Sequence, residues 1–379
     1  MRVGHQLYYK VKYVPISPVH VGTGEEIDPL DYTIKNKVLY KINFVKFVEN
    51  LSEHDKNQLL MHSKLPSVNS LMKVRTFINT IFDPSTMKDA IIESYPVDES
   101  IQARFSSRLS KFANEDPKNR QINELSIMEV YRNGLLPLIP GSSIKGAIRT
   151  AFLNHLLKDK DDRAREDILK NNFHGNKDPF DSLKVSDTYR EKSDITVGFF
   201  INLPANLFAV DKIKGGLSVM AEVILPGKVY QGDIRFIADG RLFVKNENRY
   251  FSILRNMISN IESLFRICNE HYFPIFEKEY NMIKKENSEN NFIKRVDYEK
   301  NNYLEQIRNN KVGLIRVGRH SGFEAVSIKG SKVKIKTKNG YDMRDASTTS
   351  WYCSFSDSGE PKNTNNVLPC GWMILKKDE

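Results

Sequence analysis

The chain has 379 residues, of which 40% are hydrophobic and 27% charged, with 57 lysines and arginines against 47 acids and a formal charge of +10. This composition excludes disordered and collagen-like classes, and no apolar run approaches the roughly 20 residues of a membrane helix. Cys268, Cys353 and Cys370 lie too far apart for a Cys-only zinc site or a paired disulfide framework, and the first residues carry no apolar signal core, so a cytoplasmic location is expected.

Residues 6–45 read as strands. Leu7 to Val14 mixes aromatic and β-branched residues with alternating lysines, and Tyr32-Thr33-Ile34 and Val38-Leu39-Tyr40 flank a turn at Asn36-Lys37. Between them lies Ser17-Pro-Val-His-Val-Gly-Thr-Gly24, where an imidazole accompanies Gly22 and Gly24. Residues 44–130 are polar, mostly helical in pattern and without a strong strand signal, and read as an insertion. Leu135 to Ile139 reads as a short buried strand.

Next comes Ile139-Pro-Gly-Ser-Ser-Ile-Lys-Gly-Ala-Ile-Arg149, in which Pro140 and Gly141 break the preceding element. Ser142 or Ser143 can cap a helix whose apolar face runs through Ile144, Ile148, Ala151, Phe152 and Leu156. Such a junction aims backbone N–H groups and a helix dipole at one spot that suits an anion. Lys145 and Arg149 add cations nearby.

Further strands are expected around 183–187, 195–201 and 217–225, the last closed by Pro226-Gly227. Residues 250–310 form the longest helical stretch. Strands return from Val312, together with a third glycine-rich loop, Gly313-Leu-Ile-Arg-Val-Gly-Arg-His-Ser-Gly322. Arg316, Arg319 and His320 in that loop would need costly partners if buried, so phosphate or base contact is expected. Lys332, Lys334, Lys336 and Lys338 then alternate along a strand, as nucleic-acid contacts or as charges protecting an edge. From Lys311 onward, 12 basic residues oppose 7 acidic ones.

Enzyme signatures are mostly missing. The 139–149 loop lacks Walker A spacing, and there is no HExxH, Rossmann or GxSxG motif. Asp28 and Asp31 could ligate a metal but suit turn capping better, and no metal or cofactor is expected. Strands and helices segregate without regular βαβ alternation, which gives an α+β class.

The segments Ile16 to Gly24 and Ile139 to Arg149 resemble those of the RAMP superfamily of CRISPR-associated proteins. The tail segments Arg316-Val-Gly-Arg-His-Ser-Gly322 and Pro369-Cys-Gly-Trp372 resemble those of the subunit that caps the 3′ end of the guide RNA in type III-A (Csm) effector complexes, with Cys370 where phenylalanine would be expected. The resemblance implies a ferredoxin-like (RRM-like) core with helical insertions and glycine-rich loops. It divides the chain into a core at 1–245 with a mainly helical insertion at about 46–130, a helical insertion at 246–310, and strands with a glycine-rich loop at 311–379 that complete the core. It further implies guide and target RNA, neighbouring Csm subunits and host nucleases as partners, and a need for this subunit in guide maturation. By position, His20, Gly22, Gly24, Ser142, Ser143, Lys145, Arg149, Arg316, Arg319 and His320 would meet RNA. The alternative is a RAMP endoribonuclease using His20 as base, or Asp28 or Asp31 with a metal.

Overall fold

The computed structural model describes residues 2–3, 6–64, 67–112, 125–174, 178–205, 218–237, 249–258, 260–298, 301–337, 340–355 and 364–378. Lys338, the last lysine of the alternating row, lies outside them.

The first sheet is built around the strand Gln6–Pro15, whose alternation buries Val11 and Tyr13 on one side. Its spatial order is Leu183–Val185, Tyr230–Ile237, Gln6–Pro15, Trp372–Lys377 and Gly313–Arg316, with each neighbouring pair antiparallel. Chain ends therefore meet at the centre of the sheet, with Met373 opposite Pro15. Helices Gly141–Leu157 and Ile261–Glu286 pack against each other and against this sheet. The apolar spacing 144, 148, 151, 152 is that packed face.

A second sheet runs Val367–Pro369, Thr349–Ser354, Ile195–Pro204, Ser218–Ile224, Ile127–Val130 and Gly22–Ile27. Only the Ser218–Ile224 and Ile127–Val130 pair is parallel. A third, smaller unit is a sheet of Tyr32–Lys35, Val38–Ile42 and Ile91–Pro96. Helices near it, Phe44–Glu49 and Ser67–Ile81, share its own apolar cluster around Ile42, Phe47, Phe77 and Phe82. Asn36 and Lys37 both take positive φ, the signature of the two-residue hairpin turn read from the sequence.

Two local expectations are corrected. Leu135 to Ile139 is no buried strand: only Leu136–Pro137 pairs, with Arg132–Asn133, while Leu135 and Leu136 are exposed. The stretch 44–130 contains the strands Ile91–Pro96 and Ile127–Val130 as well as helices. Ile91–Pro96 carries Glu93 and Ser94 amid its apolar residues and buries only Tyr95, which erases the period-two signal. Among the described residues, no helix is long and apolar enough to cross a membrane.

Candidate functional site

The three glycine-rich loops, more than a hundred residues apart in sequence, come together at one cleft of about 600 Å³. Its lining includes Gly22 and Gly24 from the first loop, Ser143 and Gly146 from the helix of the second, and Gly318 and Arg319 from the third. Main-chain bonds hold the first and third loops in register. The Arg319 N–H donates to the His20 carbonyl at 3.2 Å, the Val317 N–H to Gly371 at 2.9 Å, and the Gly371 N–H to Pro18 at 2.8 Å. Gly318 sits at φ +97°, and a Cβ there would lie 2.4 Å from the His20 carbonyl oxygen, so only glycine permits this approach.

Gly146 tells a different story. It occupies the interior of a helix, where glycine costs about 1 kcal/mol relative to alanine, yet a Cβ at this position would meet nothing within 4 Å among the described residues. Packing does not require the glycine. Bare backbone facing open space is what a closely approaching ligand needs. Gly24, at φ +94° and also clear of neighbours, has the same character.

The start of the helix differs from its expected form. Pro140 occupies the cap position without a side-chain bond, and Ser142 and Ser143 lie inside the first turn. The Gly141 N–H donates to the Asp187 carboxylate at 2.8 Å, so the chain supplies its own anion to the dipole there. Helical periodicity also separates the expected cations from the cleft: Ser143, Gly146, Ala147 and Thr150 line it, whereas Lys145 and Arg149 are not among its lining residues. Arg149 donates at 2.9 Å to both Asp178 and the Phe173 carbonyl. Partial burial lowers the Lys145 pKa and Lys184 adds to this, against the opposing pull of Asp181 and Asp178.

The third loop splits between core and surface. Arg316 and His320 are buried, contrary to the expectation that such residues face solvent. The partners that make this possible come from distant segments. Arg316 donates to the Cys370 carbonyl at 2.8 Å, pairs with Glu279 at 3.4 Å and lies 4.7 Å from the Trp372 ring. Trp372 in turn donates its indole N–H to Glu279 at 2.6 Å. His320 stacks on Phe200 with ring centres 4.0 Å apart. Burial pushes its pKa down to about 3, with His20 and Arg319 contributing. Arg319 stays exposed, with a contact to the Met128 sulfur at 3.4 Å and no carboxylate partner among the described residues.

His20 is also buried, and burial lowers its pKa. Its Nδ1 bonds the Glu222 carbonyl at 2.8 Å, while Nε2 is buried and has no partner among the described residues. A neutral, enclosed imidazole braces the loop; a general base needs reach to its substrate. Asp28 and Asp31 stand outside the cleft lining. Asp28 accepts the Leu30 N–H at 2.8 Å and pairs with Arg75 at 3.6 Å, while burial, then Asp28, raises the Asp31 pKa. Among the described residues no group of three or more His, Cys, Asp or Glu could hold a metal.

Sequence reasoning missed a buried ion cluster behind His20. Glu222 is fully buried, with Arg132 donating from both terminal nitrogens at 2.7 Å, Tyr95 at 2.7 Å and Lys41 at 3.0 Å. Burial alone would raise the Glu222 pKa, but Arg132, Lys41 and Tyr95 outweigh it and hold the carboxyl below its usual range. The one available signal was a glutamate among the apolar residues 219–224 of the strand Ser218–Ile224.

The RAMP superfamily profile matches residues 12–336, most of the chain, and the protein belongs to that superfamily. Within it, the chain is 27% identical over 195 residues to a CRISPR system Csm5 protein of Methanocaldococcus jannaschii, covering 47% of this chain and 42% of that protein. It is 24% identical over 163 residues to the Csm5 protein of Streptococcus thermophilus, covering 42% of each. The alignments thus span less than half the length of these relatives. Two solved structures share the fold at 17% identity. One is a chain of a Csm–crRNA–target RNA ternary complex from a type III-A CRISPR-Cas system, with TM-score 0.59 over 98% of this chain. The other is Csm5 of T. onnurineus, with TM-score 0.56 over 96%.

Proposed function

We propose that this protein is an RNA-binding structural subunit of a type III-A (Csm) effector complex, holding the guide RNA toward its 3′ end and needed for guide maturation in antiviral defence. The convergence of three glycine-bearing segments on one cleft, with bare backbone at Gly24 and Gly146 and an Arg319 that meets no carboxylate among the described residues, is the observation that carries this reading. Gly22, Gly24, Ser142, Ser143, Gly146 and Arg319 would meet the sugar–phosphate chain, while His20, Arg149, Arg316 and His320 brace the walls. Lys145 would act only as a more distant charge. Contacts of this kind position a strand without reading its sequence, as a subunit serving many guides requires. Partners would be the guide RNA, target RNA, the neighbouring backbone RAMP subunit and host nucleases, in the cytoplasm.

The first sheet supports a ferredoxin-like core. Its order Trp372–Lys377, Gln6–Pro15, Tyr230–Ile237, Leu183–Val185 is the 4-1-3-2 arrangement, and helices 141–157 and 261–286 fall at the two crossover positions. On this reading the core spans 1–245 and 311–379 with an insertion at about 46–130, and helix 261–286 makes 246–310 a part of the core rather than a second insertion.

The test is the salt dependence of binding to single-stranded RNA. Three or four bound phosphates give a log–log slope of about −2 to −3, and Arg319→Ala should reduce it by roughly 0.7, without changing sequence preference. A folded protein whose slope is the same with and without Arg319 would remove the cleft from the interface.

A further inference from the structure

A second cavity shares walls with the cleft, since the short helix Phe323–Val326 and the helix Gly141–Leu157 contribute lining residues to both. Ala325 and Val326 line the cleft, while Phe323 and Glu324 line this pocket. On helix 141–157 the same succession holds. Ala147 and Thr150 border the cleft, and Ala151, Asn154 and His155 border the pocket, about one 5.4 Å turn further on. We infer that this pocket receives a single unstacked nucleobase from the strand whose phosphates lie in the cleft. The inference rests on the RNA reading proposed above and extends it to a specific site.

Size and lining suit that ligand. The cavity is about 410 Å³, within the range of small-ligand sites. Its walls combine apolar surface from Ala151, Ile275, Ile328 and the Phe323 ring with a few polar groups. Aromatic rings are the usual platform for an unstacked base. The walls are also fixed in advance. The Asn154 amide donates to the Ser327 carbonyl at 3.1 Å and accepts the Lys329 N–H at 2.8 Å, pinning the 327–329 segment to the helix. Ser347 N–H donates to Glu324 at 3.0 Å.

The polar groups match the edge of a base. The His155 Nδ1 lies 2.5 Å from one Glu270 carboxylate oxygen, and Arg266 donates to the other at 3.3 Å, so the carboxylate is held in place at the pocket wall. Pro274, inside helix 261–286, has no N–H, which deprives the Glu270 carbonyl of its intrahelical donor. Both residues line the pocket. Glu270 thus brings its carboxylate and a carbonyl without an intrahelical donor to the pocket as acceptors for the amino and imino protons of a base, and the exposed Lys158 and Lys329 offset part of the acidic charge of Glu270, Glu324 and Asp345 for an incoming polyanion.

The experiment uses the full chain and a series of single-stranded RNAs, each with one abasic nucleotide at a different position. One position should lose about tenfold in affinity, the order expected for stacking of one base on an aromatic ring. Phe323→Ala and Glu270→Gln should each weaken the intact RNA and make that position indifferent to base removal. Arg319→Ala should weaken every RNA alike and keep the position-specific penalty. If every abasic RNA binds the wild-type chain as tightly as the intact one, the pocket holds no base, although the cleft reading stands. If the folded wild-type chain binds no RNA, the cleft reading falls and the pocket assignment with it.

Discussion

Gly146 and Gly318 are both glycines of motif loops, and they do opposite work. Gly318 is required by the fold, because its left-handed backbone presses on the His20 carbonyl. Gly146 costs the helix stability and returns no packing. Gly146→Ala should therefore raise stability by up to about 1 kcal/mol, seen as a higher denaturant midpoint, while weakening RNA binding through the added methyl. A variant that is more stable and binds RNA unchanged would show that nothing approaches this backbone. The same contrast divides Arg316 from Arg319. Two arginines three residues apart in one loop look alike in the sequence, but only one meets Glu279 and Trp372 from segments 37 and 56 residues away. Burial of a charge depends on partners that local pattern does not reveal.

At the scale of elements, the ion cluster around Glu222 joins three segments: Arg132 from the hairpin after Ile127–Val130, Lys41 and Tyr95 from the small sheet, and Glu222 from the second sheet. Glu222 also presents its carbonyl to His20, so the cluster anchors the first glycine loop. Arg132→Met leaves a buried carboxylate with its main partner gone and should cost on the order of 3–5 kcal/mol. Adding Glu222→Gln should recover a large part of that loss in the denaturant midpoint. If the double variant is no better than the single one, the charge pairing is not what Arg132 contributes. This cluster was illegible in the sequence because its members are 37 to 181 residues apart and each is ordinary alone. What was legible was local: the Asn36-Lys37 hairpin, the apolar stripe of helix 141–157, the long helical stretch after 250 and the three glycine loops themselves. That the loops share a cleft was not, since their meeting depends on sheet order. Nor was the turning of Lys145 and Arg149 out of the cleft lining, because residue types near a helix start do not say which stripe will face the loops.

Across the whole molecule, the cleft is a product of closing the chain on itself. Its first loop leaves the central strand Gln6–Pro15, and its third loop leaves Gly313–Arg316, with the final strand Trp372–Lys377 between them. That last strand does more than fill the sheet. Trp372 is fully buried, donates its main-chain N–H to Ser17 at 2.8 Å and its indole N–H to Glu279 at 2.6 Å, and the neighbouring Gly371 ties Pro18 to Val317. Losing a buried tryptophan side chain alone typically costs about 3–5 kcal/mol, a large fraction of a typical folding free energy. Removal of residues 367–379 also takes away the strands on either side of Gly371 and leaves Arg316 and Glu279 without their shared partner. The truncated chain should therefore lose its cooperative unfolding transition and its RNA binding together. Leu60→Gln and Met61→Gln serve as the comparison, because both side chains are exposed on the helix Glu53–Ser63, which buries no residue; they should leave both properties unchanged. A truncated chain that unfolds cooperatively at the wild-type midpoint would mean that the cleft does not depend on joining the two ends.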